Sequence, residues 1–172
     1  MSAGRLILVV GPSGAGKDTL LGFARDTLRG RDDIVFARRV ITRPADATED
    51  HEAVSEAEFS SRDYLLSWQA HGLSYGIPAA CEADLAAGRT VVANVSRRII
   101  PAARARFNCV VVEITAPPAV LAARLAARGR ESAADIEARL ARQVGASEAD
   151  VVLVNDGPVE TGGKRFVDAL LF

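Results

Sequence analysis

The chain has 172 residues, 49% apolar and 25% charged, the size and balance of one globular domain with enough length to bury a core. Its 21 basic and 22 acidic side chains leave a net charge of −1, so there is no electrostatic case for nucleic acid or a membrane surface as partner. Two cysteines, Cys81 and Cys109, lie far apart outside any Cys-x-x-Cys pattern, which argues against a disulfide framework or zinc site and for a reducing cytoplasm.

Leu6-Ile7-Leu8-Val9-Val10 is a continuous apolar run, read as a strand buried on both faces. It is too short for a signal peptide or a membrane span, so a soluble cytoplasmic chain is expected. A glycine-rich turn follows. A helix is expected from about Asp18 to Leu28, with Leu20, Leu21, Ala24 and Leu28 on one side. Ile34 to Ile41 reads as a second strand. Ser55-x-x-Glu58 is a capping-box signature and predicts a helix start. Ala79 to Ala87 reads as a short helix that Gly88 is placed to end. Thr90 to Val95 and Cys109 to Ile114 read as buried strands, with helices expected at about 98–106 and 118–128. A further helix is expected at about 133–144, and a last short strand at Val151 to Val154. Strands alternating with helices at this spacing imply crossover units and a parallel sheet covered on both faces, in a single α/β domain.

Gly11-Pro12-Ser13-Gly14-Ala15-Gly16-Lys17 fits the phosphate-loop pattern G-x-x-x-x-G-K, directly after a buried strand and opening a helix, the context the motif requires. Its glycines let successive N–H groups converge on phosphate oxygens, and Lys17 is placed to reach the β- and γ-phosphates. The next position normally carries Ser or Thr, whose hydroxyl meets magnesium. Here it is Asp18, followed by Thr19. A carboxylate is a strong magnesium ligand, but Asp18 also fits as a first-turn acid favoured by the helix dipole. ATP with Mg2+ is the expected donor pair.

This loop, with Thr42-Arg43, Tyr75-Gly76, the run Arg124-Leu125-Ala126-Ala127-Arg128-Gly129 and Arg139, resembles the guanylate kinase family of nucleoside monophosphate kinases over nearly the whole chain. The resemblance implies a P-loop three-layer α/β/α fold with a mostly parallel sheet. It implies a core at 1–41 and 89–172, an acceptor-binding segment at about 42–88 and a lid at about 128–139. By the same resemblance Arg124 lies near the adenine, Asn155 near the base, and Arg128 and Arg139 act with Lys17 on the transferring phosphates. The expected nucleotide ligands are thus Gly11 to Lys17, Asp18, Thr19, Arg124 and Asn155, with Asp18 as the metal ligand.

The acceptor segment departs from guanylate kinases. They carry a second arginine where this chain has Asp46, and a Gly-x-x-Tyr stretch shortened here to Thr48-Glu49-Asp50-His51. Their strand-end aspartate is Asn94. No guanine pocket is present in recognisable form. The wording Val40-Ile41-Thr42-Arg43-Pro44, then Trp68-Gln69-Ala70-His71-Gly72-Leu73-Ser74-Tyr75-Gly76-Ile77-Pro78, then Asn94-Val95-Ser96-Arg97, resembles instead the ribose 1,5-bisphosphate phosphokinases of bacterial phosphonate breakdown. These use ATP to make 5-phosphoribosyl 1-diphosphate.

An acceptor with two phosphates and no base needs cations and hydroxyl donors more than stacking surfaces. Arg43, His71, Tyr75 and Arg97 are the candidates, with Arg38, Arg39 and His51 behind them. Arg38 and Arg39 also fit a solvated strand edge, and His71 a structural histidine. Trp68 reads as core. Arg124 and Arg128 share one helix face by their spacing, as do Arg139 and Arg142. Arg104 and Arg106 read as a charged surface. Oligomeric state is left open, a dimer included.

Overall fold

The computed structural model describes residues 3–44, 50–128 and 148–172, without the side chain of Arg128. The chain divides into two compact units, Met1–Leu8 with Leu28–Val110 and Val9–Thr27 with Val111–Phe172. The first strand, β1 (Arg5–Val10), runs from one into the other. Its Leu6, Ile7, Leu8 and Val9 are fully buried, which is why it shows no polar alternation.

In the first unit, β2 (Ile34–Phe36) pairs in parallel with β7 (Thr90–Asn94), Ile34 opposite Thr90 and Phe36 opposite Val92. The strand expected from Ile34 to Ile41 is in fact two. β2 ends at Phe36, and β3 (Val40–Ile41) belongs to a second sheet. The backbone changes partners between them: Ala37 N–H still donates to the Val92 carbonyl, whereas the Arg39 carbonyl accepts from Glu52 N–H. Arg38 holds this crossing, its guanidinium donating to an Asp50 carboxylate oxygen at 3.2 Å and the His51 carbonyl at 3.3 Å.

The second sheet has the order β4-β3-β6-β5, with β4 (Glu52–Ala53), β5 (Tyr64–Ala70) and β6 (Leu73–Pro78). β3 and β5 both pair antiparallel with β6, so the parallel sheet read from the sequence is accompanied by a small, largely antiparallel one. His71 and Gly72 close the β5–β6 hairpin with φ of 54° and 72°. Positive φ at both central residues defines the type I′ loop that matches strand twist. α2 (Glu56–Ser60) starts at the expected cap, Ser55 accepting from Glu58 N–H at 3.1 Å. α3 (Cys81–Ala86) ends before Gly88 at φ 83°, as predicted. Burial pushes the Cys81 thiol up to about 11, consistent with an inert core residue. A 3-10 turn (Arg97–Ile99) leads into α4 (Ile100–Arg106). Arg106 is not merely a surface charge: it donates to the Leu65 carbonyl at 2.9 Å.

In the second unit, α1 (Lys17–Thr27) follows the phosphate loop. β8 (Cys109–Thr115) and β9 (Val151–Val154) pair in parallel, Val112 opposite Val151 and Thr115 opposite Val154. α5 (Pro118–Arg128) follows β8, and α6 (Val159–Leu171) ends the chain. The larger sheet has the order β2-β7-β1-β8-β9. Among the described residues no helix is long and apolar enough to cross a membrane. The helix expected at about 133–144, the lid at about 128–139, Arg130, Arg139 and Arg142, and Asp46, Thr48 and Glu49, lie outside the described residues, wholly or, for the lid, beyond Arg128.

Candidate active site

The phosphate loop leaves β1 at Gly11, whose own geometry forbids a side chain. Its φ is 146°, and a Cβ there would stand 2.0 Å from the Ile114 carbonyl oxygen. Ala15 N–H turns back to the Pro12 carbonyl at 3.2 Å, and Leu20 N–H reaches the Gly16 carbonyl at 3.0 Å as α1 begins. Gly14 and Gly16 sit at φ 87° and 88°, left-handed conformations that glycine adopts without penalty and that a phosphate-binding loop requires. Lys17 Nζ donates to the Gly11 carbonyl at 2.5 Å, which draws its ammonium back along the loop. Asp18 and Thr19, in the first turn of α1, are exposed.

Around this loop the structure gathers two further expected residues. The Arg124 guanidinium, projected from α5, donates to the Gly14 carbonyl at 3.0 Å and to the Asn155 carbonyl at 2.8 Å. The Asn155 side-chain amide, 8% exposed, donates to the Ala15 carbonyl at 2.7 Å. Asn155 itself is fixed by its N–H on the Thr115 carbonyl at 2.6 Å. Both residues therefore grip loop backbone. The expectation drawn from resemblance gave them to the adenine and the base; their side-chain hydrogen bonds here go to the protein.

The acceptor candidates lie in the first unit. His51 is 2% exposed, and its Nε2–H donates to the Arg43 carbonyl at 2.9 Å. Its Nδ1 is buried without a hydrogen-bond partner among the described residues. The corner carrying Arg43 is further tied down where Thr42 exchanges bonds with Ser74: Thr42 N–H donates to the Ser74 carbonyl at 3.1 Å, and Ser74 N–H donates to Thr42 Oγ1 at 2.9 Å. Tyr75 lies opposite Trp68 across β5 and β6, their rings 5.5 Å apart and nearly parallel at 4°. The Arg39 guanidinium carbon sits 5.4 Å from the Tyr75 ring centroid. Arg39 is thus a stacking partner rather than a solvated edge, and Trp68 is half-buried in the same stack. Arg97 opens the 3-10 turn after β7 and is half-buried. His71 stands apart, exposed at the hairpin tip and without a hydrogen bond among the described residues.

Sequence reasoning missed the residues that make room. A Cβ on Gly16 would lie 2.5 Å from Asn155 Nδ2, and one on Gly162 would lie 2.6 Å from Asn155 Oδ1. The Gly162-Gly163 pair was the available signal: adjacent glycines persist inside a helix when a neighbour sits too close for a side chain.

For magnesium, the described residues hold no group of three or more His, Cys, Asp or Glu that could bind a metal ion. Asp18, exposed at the start of α1, is a carboxylate beside the loop.

A family model described as an AAA domain matches residues 6–149. The chain is 61% identical over 169 residues to the ribose 1,5-bisphosphate phosphokinase PhnN of Acidiphilium cryptum, covering 98% of this chain and 93% of that protein. It is 50% identical to the protein of the same name from Methylobacterium radiotolerans, covering 95% and 96%. Among solved structures, a guanylate kinase from Anaplasma phagocytophilum superposes with a TM-score of 0.66 at 22% identity, covering 99% of this chain and 86% of that one, which supports the P-loop kinase fold. With identity of this order along nearly the whole length, the chain belongs to the ribose 1,5-bisphosphate phosphokinase PhnN family, within the AAA domain family.

Proposed function

We propose that this chain transfers the terminal phosphoryl group of ATP to the 1-phosphate of ribose 1,5-bisphosphate, giving 5-phospho-α-D-ribose 1-diphosphate and ADP in the cytoplasm as part of phosphonate breakdown. The observation that carries the reading is 61% identity along 98% of the chain to a ribose 1,5-bisphosphate phosphokinase, and the strand–loop–helix geometry at Lys17 supports it.

The attacking atom is an oxygen of the acceptor's 1-phosphate. It is already anionic near neutral pH, so no general base is required; a phosphoric anhydride forms as the bond between the β- and γ-phosphates breaks. The difficulty is bringing two polyanions together, and positioning with charge neutralisation carries the rate. Lys17, Arg128 and Arg139 have that role. Asp18 would hold magnesium beside the loop, and the ion would supply further charge neutralisation to the phosphates. Arg43, Tyr75, Arg97 and His71 hold the acceptor's phosphates and hydroxyls. His51 keeps the Arg43 corner in place, and the Trp68–Tyr75 stack fixes the tyrosine ring.

The test is ATP turnover with product identification against ribose 1,5-bisphosphate, ribose 5-phosphate, GMP and AMP. Selective consumption of the bisphosphate is expected. Equal turnover of GMP would make the chain a nucleoside monophosphate kinase instead.

A further inference from the structure

We propose that Asn155 is a positioning residue of the phosphate loop: its amide, seated between two glycines, sets the direction in which the loop presents its N–H groups. This rests on the reading above that the triphosphate of ATP occupies the loop. The side-chain Nδ2 donates to the Ala15 carbonyl at 2.7 Å from a site that is 8% exposed. A trans peptide is planar, with its C=O and the following N–H pointing opposite ways. Holding the Ala15 carbonyl toward Asn155 therefore turns the Gly16 N–H away from it. Arg124 grips the preceding peptide at the Gly14 carbonyl at 3.0 Å, and its second bond, 2.8 Å to the Asn155 carbonyl, ties loop and asparagine together.

The seat is shaped for an amide and nothing larger. Gly16 approaches it from the loop and Gly162 from α6; a Cβ on either would come within 2.6 Å of an amide atom. Gly162 thus takes part in phosphate binding although it stands far along the chain from the loop. Anchored in this way, the Asn155 amide has a role that does not depend on which base the nucleotide carries.

That independence gives the test. Binding of ATP, GTP and inorganic tripolyphosphate is measured by calorimetry in magnesium buffer for the full chain, Asn155→Ala, Gly162→Ala and the double variant. Loss of a buried bond to the loop should weaken all three ligands by one common factor of about tenfold, leaving the ATP-to-GTP ratio unchanged. Gly162→Ala keeps the amide but crowds its seat, and should show the same uniform loss. The double variant should lose no more than Asn155→Ala alone, because the added methyl enters space the amide has left. If Asn155→Ala weakened ATP but left tripolyphosphate untouched, Asn155 would be a base reader and the proposal would be overturned. Should Asn155→Ala not fold, Gly162→Ala decides, and wild-type tripolyphosphate affinity in that variant overturns the proposal equally. A wild-type chain that binds none of the three ligands fails earlier, at the nucleotide assignment, and removes the proposal with it.

Discussion

His71 separates two roles that its surrounding motif combines. With Gly72 it forms the tip of the β5–β6 hairpin, at φ 54° and 72°, and it is exposed without a hydrogen bond among the described residues. Replacing it therefore changes the turn and little else in the fold. A left-handed backbone costs a residue with a Cβ about 1–2 kcal/mol, and asparagine tolerates it best after glycine. His71→Asn should recover about 0.5–1 kcal/mol, while the β-branched His71→Val should lose about 1–2 kcal/mol. For a chain of this length each kcal/mol moves the melting temperature by about 2–4 °C. Thermal melts should then show His71→Asn raised by about 1–4 °C and His71→Val lowered by about 2–8 °C. A His71→Val protein that melts with the wild type would refute the turn argument. The kinetic readout is independent: if the imidazole also contacts the acceptor, both variants raise the acceptor KM alike, whatever their stability.

Lys17→Ala should lower turnover at least about 100-fold and leave the melting temperature close to wild type, since the ammonium contributes charge to the phosphates; near-normal turnover in the folded variant would remove the kinase assignment. Asp18→Asn keeps the side chain's shape and removes its anion, so the magnesium titration should shift to higher concentration and recover at excess magnesium. An unchanged titration would leave Asp18 as a helix-start acid. In Gly76→Ala the new Cβ would stand 2.4 Å from Tyr64 Cδ1, and urea unfolding should show a loss of about 1–3 kcal/mol with ATP affinity intact.

The legible parts of this chain were those where local pattern and tertiary role agree. The apolar run of β1, the loop after it, the Ser55 cap and the Gly88 stop each carry their reason within a few residues. The strand across Ile34 to Ile41 was misread because what divides it is a change of hydrogen-bond partner from the Val92 carbonyl to Glu52 N–H, and partners are not local. The β5–β6 hairpin was quoted as a motif for its wording, yet Gly72 between two strand-like runs is also a turn cue. Reading the histidine first for chemistry hid the backbone it sits on. Arg124 and Asn155 were expected near the adenine and the base; their contacts with the loop's carbonyls depend on distances that spacing does not encode.

α6 is the instructive omission. Its sequence includes Thr161-Gly162-Gly163, and two glycines set a helix back by about 2 kcal/mol relative to alanine, so propensity argues against it. The compensation is tertiary. Phe166 is fully buried, with Leu170 at 1% and Val167 at 8% exposure, and these positions share one face at spacings of one, three and four. The glycines extend that face where nothing larger fits: a Cβ on Gly163 would lie 2.4 Å from the Phe23 ring of α1, and one on Gly162 would meet Asn155. The residues that weaken the helix alone are thus the ones that let it close against α1 and leave the amide its seat. A helix built this way gains its stability from the contacts it makes, and its glycines mark where those contacts are closest.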